Sequence, residues 1–529
     1  MKSKQLMYPR QHRRWQNWIG AFLLVCALLL ITGTAPAYAD TSATSAQVTV
    51  NLHQTLSTLS PTAIGVNDAV WDSNNLLDPA LPGLLRADGV KIMRYPGGST
   101  SDVYHWQSNT VVPNMSYAAP SNTFDAFMGV VHATGAQAMI TINYGSGTPQ
   151  EAAGWVQYAN EGGPNYNGPV PTYAGGSSTG HRYGVKYWEI GNEVYGNSTY
   201  GGNWEYDLNP PGPASYANNF VAYSKAMKAV DPSIKIGLVL TTPGNWPDGV
   251  TSATSPQPWN DTVLPIACSS ADFVILHWYP QGPTGESDAG LLGAPANGES
   301  TPVSYTPSIP SMISTVRSEL NEYCGAHASD VQIMVTETNS VSYNPGKQTT
   351  SLVNALYLAE DYMTWLQNGV ANVDWWDVHN GITTGTNNSS SLYGTTDYGD
   401  YGLLSSGGSS GGISEPPAET PFPAYYGLQI VSKVVSPFGR IVATTSSQSL
   451  VQAFAVRRWD GSIAVLLVNT DPSTTYDVTL SGLNCAGFGN ATVYSYGENS
   501  TSVSVTYEHG RDAGSQVLAP YSLTAVVFH

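Results

Sequence analysis

From about residue 60 to residue 436, short apolar runs alternate with amphipathic stretches. Eight runs read as strands: Ala63–Val66, Lys91–Tyr95, Gln137–Asn143, Lys186–Ile190, Lys235–Leu240, Phe273–His277, Gln332–Thr336 and Val373–Asp377. They are near-continuous apolar runs, not simple alternations, as strands buried on both faces of a parallel sheet require. Between them, Phe124–Thr134, Gln150–Asn160, Tyr216–Val230, Ser311–Tyr323 and Leu352–Asn368 carry the helical period, and Tyr425–Val435 follows the last strand. Pro149 and Gly369 stand where helix start and stop signals belong. This rhythm predicts an α/β fold, a (β/α)8 TIM barrel over residues 60–436. A doubly wound open sheet is the competing arrangement. The count of eight favours the barrel, and so do the polar residues gathered just after strand ends, where barrel sites are built.

After Pro437 the period changes to that of strands. Ser449–Arg457, Ser462–Asn469, Tyr476–Leu480, Ala491–Tyr496, Ser502–Tyr507 and Leu523–Phe528 predict a β-sandwich over 437–529, with Asp460-Gly461 marking a hairpin. Ala46–Leu52 alternates in the same way, so segment 40–59 is expected to lend the sandwich a strand. Residues 381–420, rich in Gly, Ser, Thr and Tyr, form a long loop after the eighth strand, with Tyr393, Tyr398 and Tyr401 placed to stack on a ligand or on the loop itself.

The first 39 residues read differently. Lys2, Lys4, Arg10, Arg13 and Arg14 precede an apolar run, Ile19–Ile31, and Ala37-Tyr38-Ala39 is a small-x-small cleavage site. The pattern predicts a signal peptide cleaved after Ala39, hence a secreted, extracellular protein. Cleavage takes five basic residues off a formal net charge of −18, leaving −23. So acidic a chain is repelled by nucleic acid and by anionic membranes, which excludes both as partners. Only 11% of residues are charged, while Tyr is plentiful, a composition suited to a neutral polysaccharide or oligosaccharide. Three cysteines remain after cleavage. Cys268 and Cys324, in one stretch of the barrel, are the expected disulfide, with Cys485 unpaired. No Cys-x-x-Cys or His-x-x-x-His spacing occurs, so neither a metal nor a cofactor is expected.

Two strand ends carry the chemistry. Lys186-Tyr187-Trp188-Glu189-Ile190-Gly191-Asn192-Glu193 brings Glu193 to the mouth after strand four, and Ile333-Met334-Val335-Thr336-Glu337 brings Glu337 there on strand seven. Those strands lie across the mouth from each other, so the carboxylates can converge. One carboxyl group that donates a proton and a second that attacks the anomeric carbon constitute the machinery of retaining glycoside hydrolysis. Two carboxylates so close cannot both ionise cheaply, which keeps one protonated.

These residues resemble clan A of the glycoside hydrolases. Arg94-Tyr95-Pro96-Gly97-Gly98, the Gly191-Asn192-Glu193 segment, His277-Trp278-Tyr279 and Ala229-Val230-Asp231-Pro232 together resemble family 51 α-L-arabinofuranosidases over residues 60–380. The resemblance implies that Glu193 is the acid/base, Glu337 the nucleophile, and Asn192 a ligand of the sugar 2-hydroxyl. It implies that Arg94 orients Glu337 and that His277 and Tyr279 line the subsite at the cleaved bond. Two positions depart from the family: Ser99 stands where Asn is usual, and Asn67-Asp68 stands near the usual Glu after strand one. Ser99 and Asp68 are carried as substrate-binding candidates.

The implied activity is exo-acting release of arabinofuranose from plant-type polysaccharide. Related β-xylosidase, galactosidase and glucuronidase types, endo action, and a non-catalytic carbohydrate-binding barrel are the competing readings. Trp188, Trp375 and Trp376 are expected to pack the barrel, Glu360 and Asp361 to be solvated on their helix, and Glu189 has no assigned role. Asp397, Asp400, Glu415 and Glu419 make the long loop acidic, which is expected to repel an anionic sugar.

Overall fold

The computed structural model describes residues 43–74, 79–196, 206–207, 209–244, 257–300 and 305–529; the expected signal peptide lies outside them. Eight parallel strands close into a barrel in chain order: Ile64–Asn67, Ile92–Tyr95, Gln137–Ile142, Tyr187–Ile190, Lys235–Val239, Phe273–Trp278, Gln332–Thr338 and Asn372–Trp375. Each lies within two residues of an expected run. Their Val, Ile and aromatic side chains are buried towards both the helices and the barrel interior, which is why no strand shows alternation.

The six expected helices are present. Thr123 caps the one at Phe124–Thr134 by accepting from the Ala126 amide, and left-handed Gly135 ends it. Three more helices complete the strand–helix rhythm: Leu81–Ala87, Trp259–Ala267 and Asp288–Asn297. The last two enclose Pro265 and Pro295, and such prolines hide a short helix from its periodicity. A disulfide joins Cys268 to Cys324 across 5.6 Å between Cα atoms, and Cys485 is unpaired. No helix among the described residues is long and apolar enough to cross a membrane.

The C-terminal residues form a nine-stranded sheet in the spatial order Ser504–His509, Asn490–Gly497, Ser522–Phe528, Ile463–Asn469, Val451–Arg457, Arg440–Ser446, Thr44–Thr58, Tyr476–Ser481, Ser515–Leu518. Thr44–Thr58 is an interior strand, antiparallel to Arg440–Ser446 and parallel to Tyr476–Ser481. Val48, Val478, Leu518 and Val526, from distant places in that order, share one apolar cluster, so the sheet curls over into a sandwich. Along Ile463–Asn469 the alternation is clean: Ile463, Val465 and Leu467 enter the sandwich core, while Ala464, Leu466 and Val468 join the barrel's cluster. The strand is apolar throughout because each face meets a different core.

Helix Leu352–Gln367 shows the same effect. It packs against barrel and sheet at once, and the Ser57 hydroxyl donates to the Leu366 carbonyl. Glu360 and Asp361, expected in solvent, are 3% and 0% exposed. Asp361 accepts from Trp365 Nε1 at 2.8 Å. Burial pushes both carboxyls well above the usual range.

The 381–420 loop is stitched from within. Glu415 Oε2 accepts from the Ser405 and Ser406 hydroxyls and the Gly408 amide, and Asp400 accepts from the amides of Gly381 and Gly402. Tyr401 is buried and donates to the Val341 carbonyl, and Tyr393 packs edge-on against Tyr521 of the sandwich. Asp400 and Glu415 are therefore held by the loop's own donors. Buried His379, just after strand eight, fastens the loop down. Its Nδ1 lies 2.8 Å from Asp72 Oδ2, and its Nε2 lies 3.2 Å from Glu419 Oε2.

Burial opposes the charge on His379, yet the two carboxylates outweigh it and raise the imidazole to about 10. The unfolded value is about 6.5. A raised folded value means that the stabilisation is complete below about pH 6.5 and is lost as pH rises through about 10. The urea midpoint of the wild-type protein is therefore expected to fall between pH 7 and pH 10. That of His379→Gln should start lower and change less across the same window.

Candidate active site

The site grows from the ends of barrel strands one, two, four, six and seven. Arg94, on strand two, is fully buried beneath the mouth. Its Nε donates to Glu189 Oε2 at 2.6 Å, Nη1 to Asn67 Oδ1 at 2.8 Å and Glu337 Oε2 at 3.2 Å, and Nη2 to Asn192 Oδ1 at 2.7 Å. Burial works against the guanidinium charge, but Glu189 and Glu337 more than offset it, so the group stays protonated. Glu189 also accepts from the Thr141 hydroxyl at 2.8 Å. Having no role assigned from sequence, it proves to be the counter-ion of Arg94. The signal was present: a carboxylate inside a buried strand needs a buried partner, and Arg94 is the cation of the neighbouring motifs.

Strand four ends in a tight turn that presents Glu193. Gly191 has φ +81°. A side chain there would strike Val194 and Tyr144, so only glycine fits. The Asn192 amide donates to Asp102 Oδ2 at 3.0 Å, which ties this turn to the short 3-10 helix Ser99–Val103. Glu193 itself sits at φ +41°, a conformation that costs a non-glycine residue about 1–3 kcal/mol and is typical of functional positions.

Glu337 is 7% exposed. Tyr279 donates its hydroxyl to Oε1 at 2.6 Å, and Arg94 holds Oε2. His277 Nδ1 lies 2.9 Å from Glu193 Oε1 and 3.7 Å from Glu337 Oε2. The nearest atoms of Glu193, His277 and Glu337 all fall within 4.8 Å of one another. Burial is the strongest influence on the Glu337 carboxyl and raises it. Glu193 raises it further, while His277, Arg94 and Tyr279 pull it back. Burial, then Glu337, push the Tyr279 phenol far up, so that hydroxyl remains a donor.

The structure thus brings together six of the residues expected at the site: Arg94, Asn192, Glu193, His277, Tyr279 and Glu337. Asp68 points elsewhere, accepting from Asn122 Nδ2 at 3.4 Å. Its carboxyl is pushed up by burial and then by Asp72. Asn67, its neighbour, is the residue of that loop that reaches Arg94, because strand one ends a residue later than expected. Ser99 is exposed at the start of the 3-10 helix. Trp188 and Trp375 are fully buried as packing residues. Trp376 is half-buried at the mouth, close enough to Gly98 that a Cβ there would come within 2.7 Å of its ring. That contact accounts for the second glycine of Pro96-Gly97-Gly98.

Glu193, His277 and Glu337 are also the one group among the described residues whose ligand atoms are close enough to share a metal ion. Their surroundings suit proton transfer better. Arg94 already stands against Glu337, and a cation there would meet like charge.

No protein-family model matches the chain. It is 29% identical over 201 residues to α-L-arabinofuranosidase C of Emericella nidulans, covering 36% of this chain and 38% of that one. It is 25% identical over 203 residues to an intracellular exo-α-L-arabinofuranosidase of Bacteroides ovatus, covering 36% and 35%. The chain therefore spans just over a third of the length of these curated relatives. The family 51 resemblance drawn from the motifs and these similarities fall on the same group of proteins. Among solved structures, α-L-arabinofuranosidase from Thermotoga maritima in complex with arabinose superposes with a TM-score of 0.62 at 18% identity, covering 91% of this chain and 99% of that one. A family 44 xyloglucanase from Paenibacillus polymyxa gives 0.57 at 11% identity, covering 92% and 100%. At these identities the likeness establishes the fold.

Removing the central cation tests this arrangement directly. Arg94→Met leaves two buried carboxylates without their partner, and breaking a buried pair in this way costs about 3–5 kcal/mol. Urea unfolding at pH 7 should show a loss of that size. Arg94→Met combined with Glu189→Met should recover part of it.

Proposed function

We propose that this chain is a secreted, retaining α-L-arabinofuranosidase that removes terminal arabinofuranose from plant-type polysaccharide, with Glu193 as acid/base and Glu337 as nucleophile. The observation that carries this reading is the pair itself. Two carboxylates from strands four and seven stand within 4.8 Å, one of them gripped by Arg94 and Tyr279. Retaining enzymes hold their carboxyl groups about 5–5.5 Å apart, and inverting ones leave about 6.5–9.5 Å for a water.

In the first step Glu337 attacks the anomeric carbon while Glu193 gives its proton to the departing oxygen. The glycosyl–Glu337 ester is then opened by water, whose proton returns to Glu193. The resting charge on Glu337 is supported by the buried guanidinium and the phenol hydroxyl. Their hydrogen bonds pass to the ester oxygens as that charge is lost. Glu337 lies above the ordinary glutamate range because it is buried. Activity should therefore fall on acidification at a higher pH than an exposed glutamate would dictate.

The sugar assignment draws on the names of the relatives and on the electrostatics of the mouth. Arg94 is completely buried and gives four of its five N–H donors to protein acceptors, so it is not offered to a uronic acid carboxylate. Trp376 and Tyr279 give the mouth an apolar, neutral face, which suits a pentose. The reading of exo action is supported by the 381–420 loop, which packs against the mouth through Tyr401, whose ring centroid lies 6.4 Å from that of Tyr279.

A panel of aryl furanosides and pyranosides, with arabinan as polymer, tests the reading. Free arabinose is expected from the arabinofuranoside and from arabinan, with the first product formed in the retained configuration by NMR. Clear turnover of a xyloside, galactoside or glucuronide with no arabinose release would contradict the sugar. Glu337→Ala should lose nearly all activity on every substrate. Glu193→Ala should lose about 10²–10⁴-fold on poor leaving groups, far less on good ones, and be partly rescued by azide.

A further inference from the structure

Strand seven does not run regularly into the mouth. Against strand six, Val335 pairs with Leu276 and Glu337 with His277, which leaves Thr336 as an extra residue. Against strand eight the register slips at the same place, between Val335 and Thr338. Thr336 is thus a β-bulge, a device that re-aims side chains where it occurs. In a regular strand, neighbours at 336 and 337 would point to opposite faces. Here both reach the site: Glu337 meets Arg94 and Tyr279, and the Thr336 hydroxyl lies 3.1 Å from His277 Nε2. The Thr336 carbonyl is held in turn by Asn67 Nδ2 at 2.9 Å, the same Asn67 whose Oδ1 receives Arg94. Thr336 is completely buried.

That hydroxyl decides where the imidazole proton sits. If His277 Nε2 carried the hydrogen and donated to Thr336 Oγ1, the threonine hydrogen would need an acceptor of its own. The only hydrogen-bond partner of that oxygen among the described residues is His277. An unsatisfied buried donor costs about 1–3 kcal/mol, so the arrangement in which threonine donates and Nε2 accepts prevails. The proton then resides on Nδ1, facing Glu193 Oε1 at 2.9 Å.

We infer that Thr336 is a positioning residue that fixes the Nδ1–H tautomer of His277 and thereby holds the acid proton of Glu193 on the carboxyl oxygen that His277 does not engage. With Nδ1–H donating to Oε1, that oxygen is favoured as the carbonyl of the acid, the better acceptor of its two oxygens. The acid proton then belongs to Oε2. In the opposite tautomer Nδ1 would be an acceptor. It would draw the Glu193 hydrogen onto Oε1 and away from the glycosidic oxygen. The inference rests on the reading of Glu193 as the acid.

Two measurements test it. In Thr336→Val, which is close in shape, kcat/KM on aryl arabinofuranosides with poor leaving groups should fall about 10–100-fold, within the range that general acid catalysis supplies. Substrates with good leaving groups should change no more than about 3-fold on the same reasoning, and Thr336→Ser should restore the wild-type slope. Independently, 15N NMR of histidine-labelled wild-type protein, with His277 assigned by difference from His277→Gln, should report a neutral ring protonated at Nδ1. An Nε2–H ring in the wild type overturns the inference, whether or not Thr336→Val folds. A leaving-group slope unchanged in Thr336→Val, beside a steep one in Glu193→Ala, removes the threonine's role and leaves the acid in place. A flat slope in Glu193→Ala removes the reading of Glu193 and this inference with it.

Discussion

Sealing a guanidinium away from water costs several kcal/mol unless its hydrogens find acceptors, and Arg94 finds four, on Asn67, Glu189, Asn192 and Glu337. Those acceptors come from strands one, four and seven and from the turn after strand four. The guanidinium can be satisfied only when those strands stand in their proper registers around the barrel. One planar, rigid fork therefore enforces the relative position of two carboxylates, Glu189 and Glu337, that lie 148 residues apart in the chain. The remaining features of the mouth follow from that constraint. Glu189 supplies a second carboxylate acceptor, so that Arg94 is not committed to Glu337 alone. Asn67 and Asn192 take up the other hydrogens without adding charge. Tyr279 reaches the oxygen of Glu337 that Arg94 leaves uncovered.

Two irregularities of the backbone serve the same end. Glu193 occupies a left-handed conformation just after a glycine that cannot be replaced sterically, and strand seven carries an extra residue immediately before Glu337. An ideal barrel would deliver one inward side chain at each strand end. The turn and the bulge deliver more, and they do so where His277, Thr336 and the two glutamates must meet. The strain is tolerated because Asp102, Asn67 and the barrel packing fix the surrounding backbone.

The eight barrel strands and the longer helices were legible in the sequence because burial on both faces writes an unbroken apolar run and a docked helix writes a 3.6-residue period. The glutamates were legible because a carboxylate straight after such a run has few other reasons to be there. What periodicity could not convey was anything set by neighbours distant in sequence. Leu352–Gln367 looked amphipathic, yet Glu360 and Asp361 are buried because the helix packs against the barrel and the C-terminal sheet at once. Asp397, Asp400, Glu415 and Glu419 read as an acidic surface, yet Asp400 and Glu415 are turned into the loop's own bonds and Glu419 meets buried His379. Glu189 lay inside a run that is otherwise apolar, and its partner is 95 residues away. A one-residue bulge leaves no trace in composition, so Thr336 was invisible beside Glu337.

The strand Thr44–Thr58 has a consequence for how the chain comes into being. It is the first described segment to leave the ribosome, yet it lies inside a sheet whose other members begin at Arg440. At about 5–20 residues per second, the partners of this strand follow it by something like 20–80 seconds. Throughout that interval Val48, Val50 and their neighbours have no core to enter, and the barrel can close only with its first strand tethered to an unfinished edge. Contacts of such sequence separation place the slowest, most entropically costly closure at the end of assembly. The two ends of the chain act as a clasp, and a nascent chain interrupted anywhere before the last strands exposes an unpaired edge that can aggregate with its neighbours.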